Sequence, residues 1–510
     1  MLSFSITVAL FFTHFHTITA LNVPTSLPAQ VTVNPNQRHQ TIDGFGFSQA
    51  FQRAAWLHGK LGLPPTQQRA VLDLLFDREL GAGATILRNG IGSSVSYDRD
   101  FMKSIAPISP GSPDAEPDYI WDGYDADQVW LTKEALSYGG LKYVYADAWS
   151  APGYMKTNGD DSNGGHLCGS SSSSLGCASG DWSEAYARYL VQFLRFYRER
   201  EGVEITHLGW LNEPDLNQTY ASMLSDGFQA RDFARILRRT MRDEGFGHVR
   251  LVCCEATGWT QGAAILAELQ TQVDEADEED SAAFFDVYSA HAYSADAKTP
   301  LRTSRKVWQT EWADLDGRWN PAWDNLGKQG EGIGWANKIQ ESLVFGNVSA
   351  WLYWIGAEPT STNSALIQLP MKQSNSSDAI YSVSGRLWAF AQFSRFVRPG
   401  AVRIESETDR AFLGTSAFVL NNESVGGGDG GRTISVQMVN NGHVDLDVRV
   451  VVEGGGGNSS SSSPEIWLTN NENNLTRLFS SITQALENRR SPSSEYSVLV
   501  PQRSMVTLIL

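Results

Sequence analysis

The sequence predicts an α/β chain: a closed (β/α)8 TIM barrel carrying a C-terminal all-β sandwich as a side domain. Three observations support this. Apolar strand-like runs alternate with helical or looped returns eight times between residues 42 and 398, which implies a closed parallel barrel. After Pro399 the alternation stops, and short period-two strands separated by Gly- and Ser-rich turns take over. The polar residues that stand out in the first region fall at strand ends, where a parallel barrel builds its site.

In chain order, residues 1–20 read as a secretory signal. Residues 2–12 are mostly apolar and Thr17-Ile18-Thr19-Ala20 offers a cleavage site, although no Lys or Arg precedes it. Residues 21–41 hold a short strand at 31–33 that is expected to pair with the sandwich. The barrel is expected over 42–398 and the sandwich over 399–510. Barrel strands are predicted at 42–47, 84–87, 143–148, 205–211, 251–254, 284–290, 307–310 and 350–355. Helices are predicted at 65–80, 128–138, 181–200, 228–243, 262–272, 334–345 and 387–396. In the third of these, Tyr186, Tyr189, Leu190, Phe193 and Phe196 share one side, the spacing of an amphipathic helix.

The formal net charge of -17 argues against nucleic acid or an anionic membrane as a partner, since both would repel it. Sixteen Trp and sixteen Tyr offer flat faces suited to sugar rings. Six N-x-S/T sequons, at Asn217, Asn347, Asn375, Asn422, Asn458 and Asn474, fit export to the extracellular space and glycosylation. Cys168 and Cys177 close a short Ser/Gly-rich loop and are expected to form a disulfide. Cys253 and Cys254 are adjacent on an apolar strand and are expected to be two buried thiols. No C-x-x-C or H-E-x-x-H occurs, which argues against a zinc site.

The chemistry concentrates at two strand tips. The apolar run 205–211 ends in Asn212-Glu213-Pro214, and Pro214 cannot donate to a sheet ladder. The run 307–310 ends in Glu311. Two glutamates at two strand tips suggest the carboxylate pair of a glycosidase. Glu213 is the candidate acid/base and Glu311 the candidate nucleophile. Asn212 is placed to hold a sugar hydroxyl. Arg88, ending the second strand, either keeps Glu311 ionised or braces the barrel mouth as a structural ion pair. Tyr293 is placed to donate to the nucleophile; His291 does the same or satisfies a neighbouring loop. Trp149 and Trp354 end the third and eighth strands, as a floor under a sugar or as core. Asp147 and Glu255 are spare carboxylates, either of which is an alternative partner for Glu213. A non-catalytic wall-polysaccharide binder is the reading from another class.

Five motifs occur in order: Gly44-Phe45-Gly46-Phe47-Ser48, Arg88-Asn89-Gly90-Ile91-Gly92, Trp149-Ser150-Ala151-Pro152-Gly153-Tyr154-Met155-Lys156, Asn212-Glu213-Pro214 and Gln309-Thr310-Glu311. Together they resemble glycoside hydrolase family 30 over nearly the whole mature chain. The resemblance implies a retaining enzyme that uses Glu213 and Glu311, with carboxyls about 5–5.5 Å apart, and no cofactor. The longer stretch 44–53 is similar to subfamily 7, the fungal-type xylanases, where an arginine after the first strand holds the glucuronate branch of xylan. Arg53 matches it. In the bacterial glucuronoxylanases that arginine follows the eighth strand, and residues 355–368 contain none. The expectation is a secreted, monomeric β-1,4-xylanase acting on plant cell-wall xylan, with β-1,6-galactanase as the alternative within the family.

Overall fold

The computed structural model describes residues 28–59, 62–96, 102–169, 177–271, 284–371, 381–421, 431–454, 464–478, 483–484 and 493–510. The expected signal at 1–20 and the sequons at Asn375, Asn422 and Asn458 lie outside the described residues. Asn217 and Asn474 are exposed, and Asn347 is half-buried. No helix among the described residues is long and apolar enough to cross a membrane.

The first strand, β1 (Ala29–Thr41), belongs to the C-terminal domain. The barrel begins with β2 (Gly44–Ser48) and continues through β3 (Ile86–Ile91), β4 (Tyr143–Ala148), β5 (His207–Gly209), β6 (Arg250–Ala256), β7 (Val287–Ala290), β8 (Lys306–Gln309) and β9 (Ala350–Pro359). All eight pair in parallel, and β9 closes the ring by pairing with both β8 and β2. The helices are α1 (Pro65–Phe76), α2 (Gln128–Ser137), α3 (Ser183–Arg195), α4 (Gly227–Asp243), α5 (Trp259–Leu269), α6 (Gly332–Val344) and α7 (Gly385–Ser394).

Local chemistry explains several of these boundaries. Pro65 opens α1, where a missing N–H leaves no bond unmade. The Asp226 carboxylate caps α4 by accepting from the Gln229 N–H at 2.8 Å. Tyr186, Tyr189, Leu190 and Phe193 on α3 are all buried, as the amphipathic spacing requires.

Alternation along the strands stacks the barrel interior in layers. Ile86, Tyr145, Val252, Val287, Trp308, Ala350 and Leu352 fill its lower half as one apolar cluster. Two residues further along the same face come Arg88 after Ile86, Asp147 after Tyr145 and Trp354 after Leu352. The hydrophobic plug therefore carries a polar layer on top of it, at the strand C-termini. Gly209 lies in this layer because a Cβ there would collide with the Asp147 carboxylate.

The other domain is one ten-stranded sheet in the order β17-β16-β20-β14-β13-β12-β1-β15-β19-β18. Its members are β1 with β12 (Val402–Thr408), β13 (Leu413–Asn421), β14 (Arg432–Asn440), β15 (Leu446–Val452), β16 (Glu465–Thr469), β17 (Thr476–Leu478), β18 (Thr483–Gln484), β19 (Ser494–Val500) and β20 (Ser504–Ile509). Its inward residues, among them Val31, Val33, Val436, Val450, Val498 and Val506, form a single core. β1 pairs antiparallel with β12 and parallel with β15, so the N-terminal segment is built into this domain. Gln392 of α7 joins the domains: its amide donates to Thr469 at 2.8 Å and accepts from Thr507 at 2.6 Å.

Three expectations need correction. The strand predicted over 205–211 is regular only over His207–Gly209. Beyond it the chain bonds irregularly to both neighbours, with Asn212 N–H to Ala148 O at 2.7 Å and Glu213 N–H to Glu255 O at 2.9 Å. Two strands, β10 (Ala365–Leu369) and β11 (Ser382–Val383), stand where no strand was predicted. Cys253 and Cys254 are joined to each other rather than being two thiols. A regular strand turns adjacent side chains to opposite faces. Here the peptide between them is cis and the pairing with β7 shifts register after Cys253. Cys168 and Cys177 are disulfide-bonded, with Cα atoms 5.5 Å apart.

Candidate active site

Arg88 is the hub of the barrel mouth. It is fully buried, and its guanidinium spreads over four acceptors from four strand ends. Nη1 donates to Glu311 at 2.6 Å, and Nη2 to Asp147 at 2.7 Å, Asn212 at 2.6 Å and Glu255 at 2.7 Å. The guanidinium also stands over the Trp149 ring, 4.7 Å from its centroid. A planar cation that donates along two edges is the side chain suited to tie several carboxylates together.

His291 bridges the candidate pair. Its Nδ1 lies 3.0 Å from Glu213 Oε1, and its Nε2 lies 3.1 Å from Glu255 and 3.7 Å from Glu311. His291 therefore hydrogen-bonds Glu213 and Glu255 and stands 3.7 Å from Glu311, rather than donating to the nucleophile or satisfying a neighbouring loop. Burial opposes its charge, but Glu311, Glu213 and Glu255 outweigh burial and raise it to about 10. As an imidazolium it donates from both nitrogens and has no lone pair to offer a metal ion.

One oxygen of Glu213, one of Glu311 and a ring nitrogen of His291 all lie within 4.8 Å of one another. The Tyr293 hydroxyl donates to Glu311 Oε1 at 2.8 Å. Burial pushes the Glu311 carboxyl up, with His291 and Arg88 pulling it down and Glu213 adding to the rise. Glu213 sits at φ 47°, a left-handed turn that aims its side chain across the mouth rather than along the strand.

The spare carboxylates are fully buried partners of Arg88. Burial and the Glu255 charge hold Asp147 up at about 8 despite Arg88. Burial works against Glu255 too, but Arg88 and His291 overcome it and bring its carboxyl to about 2. Four acids and two cations therefore share the site, with Asp147 pushed toward its neutral form and Glu255 toward its charged one.

The mouth opens into a cleft of about 900 Å³ whose lining includes Glu213, Glu311, Trp149, Tyr293, Trp354 and Arg53. A carboxylate pair at the floor of an aromatic-walled cleft is the constellation of glycoside hydrolysis. Both comparisons name glycoside hydrolases, under different family numbers. The family model described as Glycosyl hydrolase family 59 matches residues 61–395, which is most of the barrel. The solved catalytic domain of GH30 xylanase C from Talaromyces cellulolyticus is 37% identical, covers 94% of this chain and 99% of that one, and superposes with a TM-score of 0.80.

The chain belongs to glycoside hydrolase family 30.

A family 30 subfamily 8 xylanase from Clostridium acetobutylicum, 20% identical, shares the fold over 94% of this chain and 99% of its own, with a TM-score of 0.65. Matches to curated relatives are partial. The Bacillus subtilis Glucuronoxylanase XynC is 24% identical over 55% of this chain and 57% of its own. Two Caenorhabditis elegans proteins that carry a glucosylceramidase name are covered over 38% and 33% of their length.

In this family 30 glycosidase the remaining expected residues gather at the cleft. Trp149 is 2% exposed and Trp354 is half-buried; their ring centroids are 6.1 Å apart. Asn212 is buried with its carbonyl fixed by Arg88. Arg53 lines the wall and pairs with Glu358 at 2.9 Å. Sequence reasoning missed Phe51, Tyr220 and Glu358. Phe51 packs edge-on against Trp149, with centroids 5.1 Å apart. Tyr220 lines the cleft, and burial together with the Glu213 and Glu311 charges pushes its hydroxyl well up. Phe51 lay inside the stretch 44–53, but nothing in the loop after Asn212-Glu213-Pro214 marks Tyr220.

Proposed function

We propose that the chain is a secreted, retaining β-1,4-xylanase that prefers glucuronate-branched xylan. One observation supports it most: a carboxylate oxygen of Glu213 and one of Glu311 lie within 4.8 Å of each other, close to the short separation of double displacement. The residues have distinct roles. Glu311, held by Arg88 and Tyr293, attacks the anomeric carbon as the leaving oxygen takes a proton from Glu213. Glu213 then accepts a proton from the water that releases the sugar. His291 fixes Glu213 for both steps. The NH2 end of Asn212 donates to a sugar hydroxyl beside the reacting carbon. Trp149 and Trp354 give the sugar an apolar face. Arg53, on the cleft wall, takes the carboxylate branch through its guanidinium. The likeness to xylanase C and to the glucuronoxylanase favours xylan among family substrates.

The test is Glu311→Gln assayed on glucuronoxylan, arabinoxylan and β-1,6-galactan in parallel. The native chain should release sugars from glucuronoxylan foremost. The variant should lose about 10⁴-fold or more in turnover while remaining folded. Near-native activity in the variant would reject the nucleophile, and release from galactan alone would reject the substrate.

A further inference from the structure

We propose that Glu358, near the end of β9, is a positioning residue that sets Arg53 for recognition of an anionic sugar branch; this rests on the reading of Arg53 given above. Glu358 is only 5% exposed, and a carboxylate so deep is retained when it is paired. Both of its oxygens are used. Oε2 accepts from Arg53 Nε at 2.9 Å, and Oε1 accepts from the Ser364 hydroxyl at 2.5 Å. Ser364 is held in turn by Thr360 at 2.9 Å, and Thr360 meets Thr362 at 3.0 Å. These hydroxyls come from the turn between β9 and β10, so the carboxylate is fixed from behind by side chains of that turn.

The consequence lies in which donors remain. A guanidinium has five N–H groups in one plane. Glu358 takes the Nε hydrogen, and the Phe51 carbonyl takes one from Nη1 at 2.9 Å. The remaining Nη hydrogens belong to a side chain that is 27% exposed and lines the cleft. They form the edge that grips a carboxylate in bidentate fashion. An arginine stem otherwise samples many rotamers, and holding it beforehand removes that entropy from the binding step. Glu358 therefore supplies geometry. Its charge is incidental, since glutamine keeps an acceptor for Nε.

The experiment compares KM and kcat on a glucuronate-branched xylo-oligosaccharide and its unbranched counterpart for Arg53→Ala, Glu358→Ala, Glu358→Gln and the Arg53→Ala/Glu358→Ala double variant. Glu358→Ala should lower the branched-to-unbranched ratio of kcat/KM about tenfold, through KM. Glu358→Gln should recover it to within about threefold. In the Arg53→Ala background the second change should add nothing further. An equal loss on both substrates, or a full Glu358→Ala effect in the absence of Arg53, overturns the positioning role. An unchanged ratio in Arg53→Ala overturns the reading of Arg53 itself. Should Glu358→Ala not fold, Ser364→Ala serves instead: a drop of about threefold in the ratio is expected, and no drop overturns the proposal.

Discussion

Replacing Arg88 with methionine removes the cation around which the site is assembled while keeping most of the side-chain length. Arg88 makes four short bonds, to Glu311, Asp147, Asn212 and Glu255. Taken separately, bonds to charged groups contribute about 1.5–3 kcal/mol each, but they do not add here. Three acceptors share Nη2, which carries two hydrogens, and all of them answer to one charge. The better figure is the loss of a buried ion pair with its partners left behind, about 3–5 kcal/mol. In a barrel of this size that lowers the melting temperature on the order of 4–7 °C. Glu311 also loses its anchor, so kcat should fall about 10²–10³-fold. Glu255, brought to about 2 by Arg88 and His291, and Glu311 should both move up, so the acid limb of kcat/KM shifts to higher pH. Thermal unfolding and initial rates across pH measure all three. Arg88→Lys, which keeps charge but not the fork, should fall between native and methionine. A methionine variant with native melting temperature and native kcat/KM would refute the reasoning.

Two further outcomes follow from the same geometry. Tyr293→Phe deletes the hydroxyl that donates to Glu311 at 2.8 Å; kcat should drop about tenfold with little change in melting temperature, and an unchanged kcat would remove Tyr293 from the reaction. Heat stability should be greatest on the acid side of neutrality. His291 is raised to about 10, so its contribution is complete below its usual 6.5 and disappears as pH climbs through 10. Asp147, raised to about 8, acts in the same direction, its contribution fading as pH rises from its usual 3.8 through 8. Glu255 has the opposite sign: lowered to about 2, its contribution is present above its usual 4.5 and lost as pH falls through 2. A melting temperature that rises steadily from pH 6.5 to 10 would contradict this charge assignment.

Much of this was legible in the sequence, because barrel strands reveal themselves by apolar runs and their ends by polar motifs. Glu213, Glu311, Arg88, Asn212, Tyr293, Trp149 and Trp354 all reach one cleft or its floor. What the sequence does not carry is convergence. Asp147 and Glu255 look like spare acids on separate strands, and only closure of the ring brings both to Arg88. The apolar run 205–211 hides where the ladder ends, since Trp210 and Leu211 are buried whether or not they are in a regular strand. Tyr220 is set by the path of a loop, and loop paths leave no periodic trace. The Cys253–Cys254 link is announced by no pattern of residue types.

Trapping the covalent intermediate is the most direct test of the pairing of Glu213 with Glu311. The native chain, treated with an activated 2-fluoro-xylobioside and then digested, should yield a sugar-labelled peptide whose modified residue is Glu311. The label should be absent from Glu311→Gln. Attachment to Glu213, Glu255 or Asp147, or hydrolysis with inverted anomeric configuration and no adduct, would contradict it.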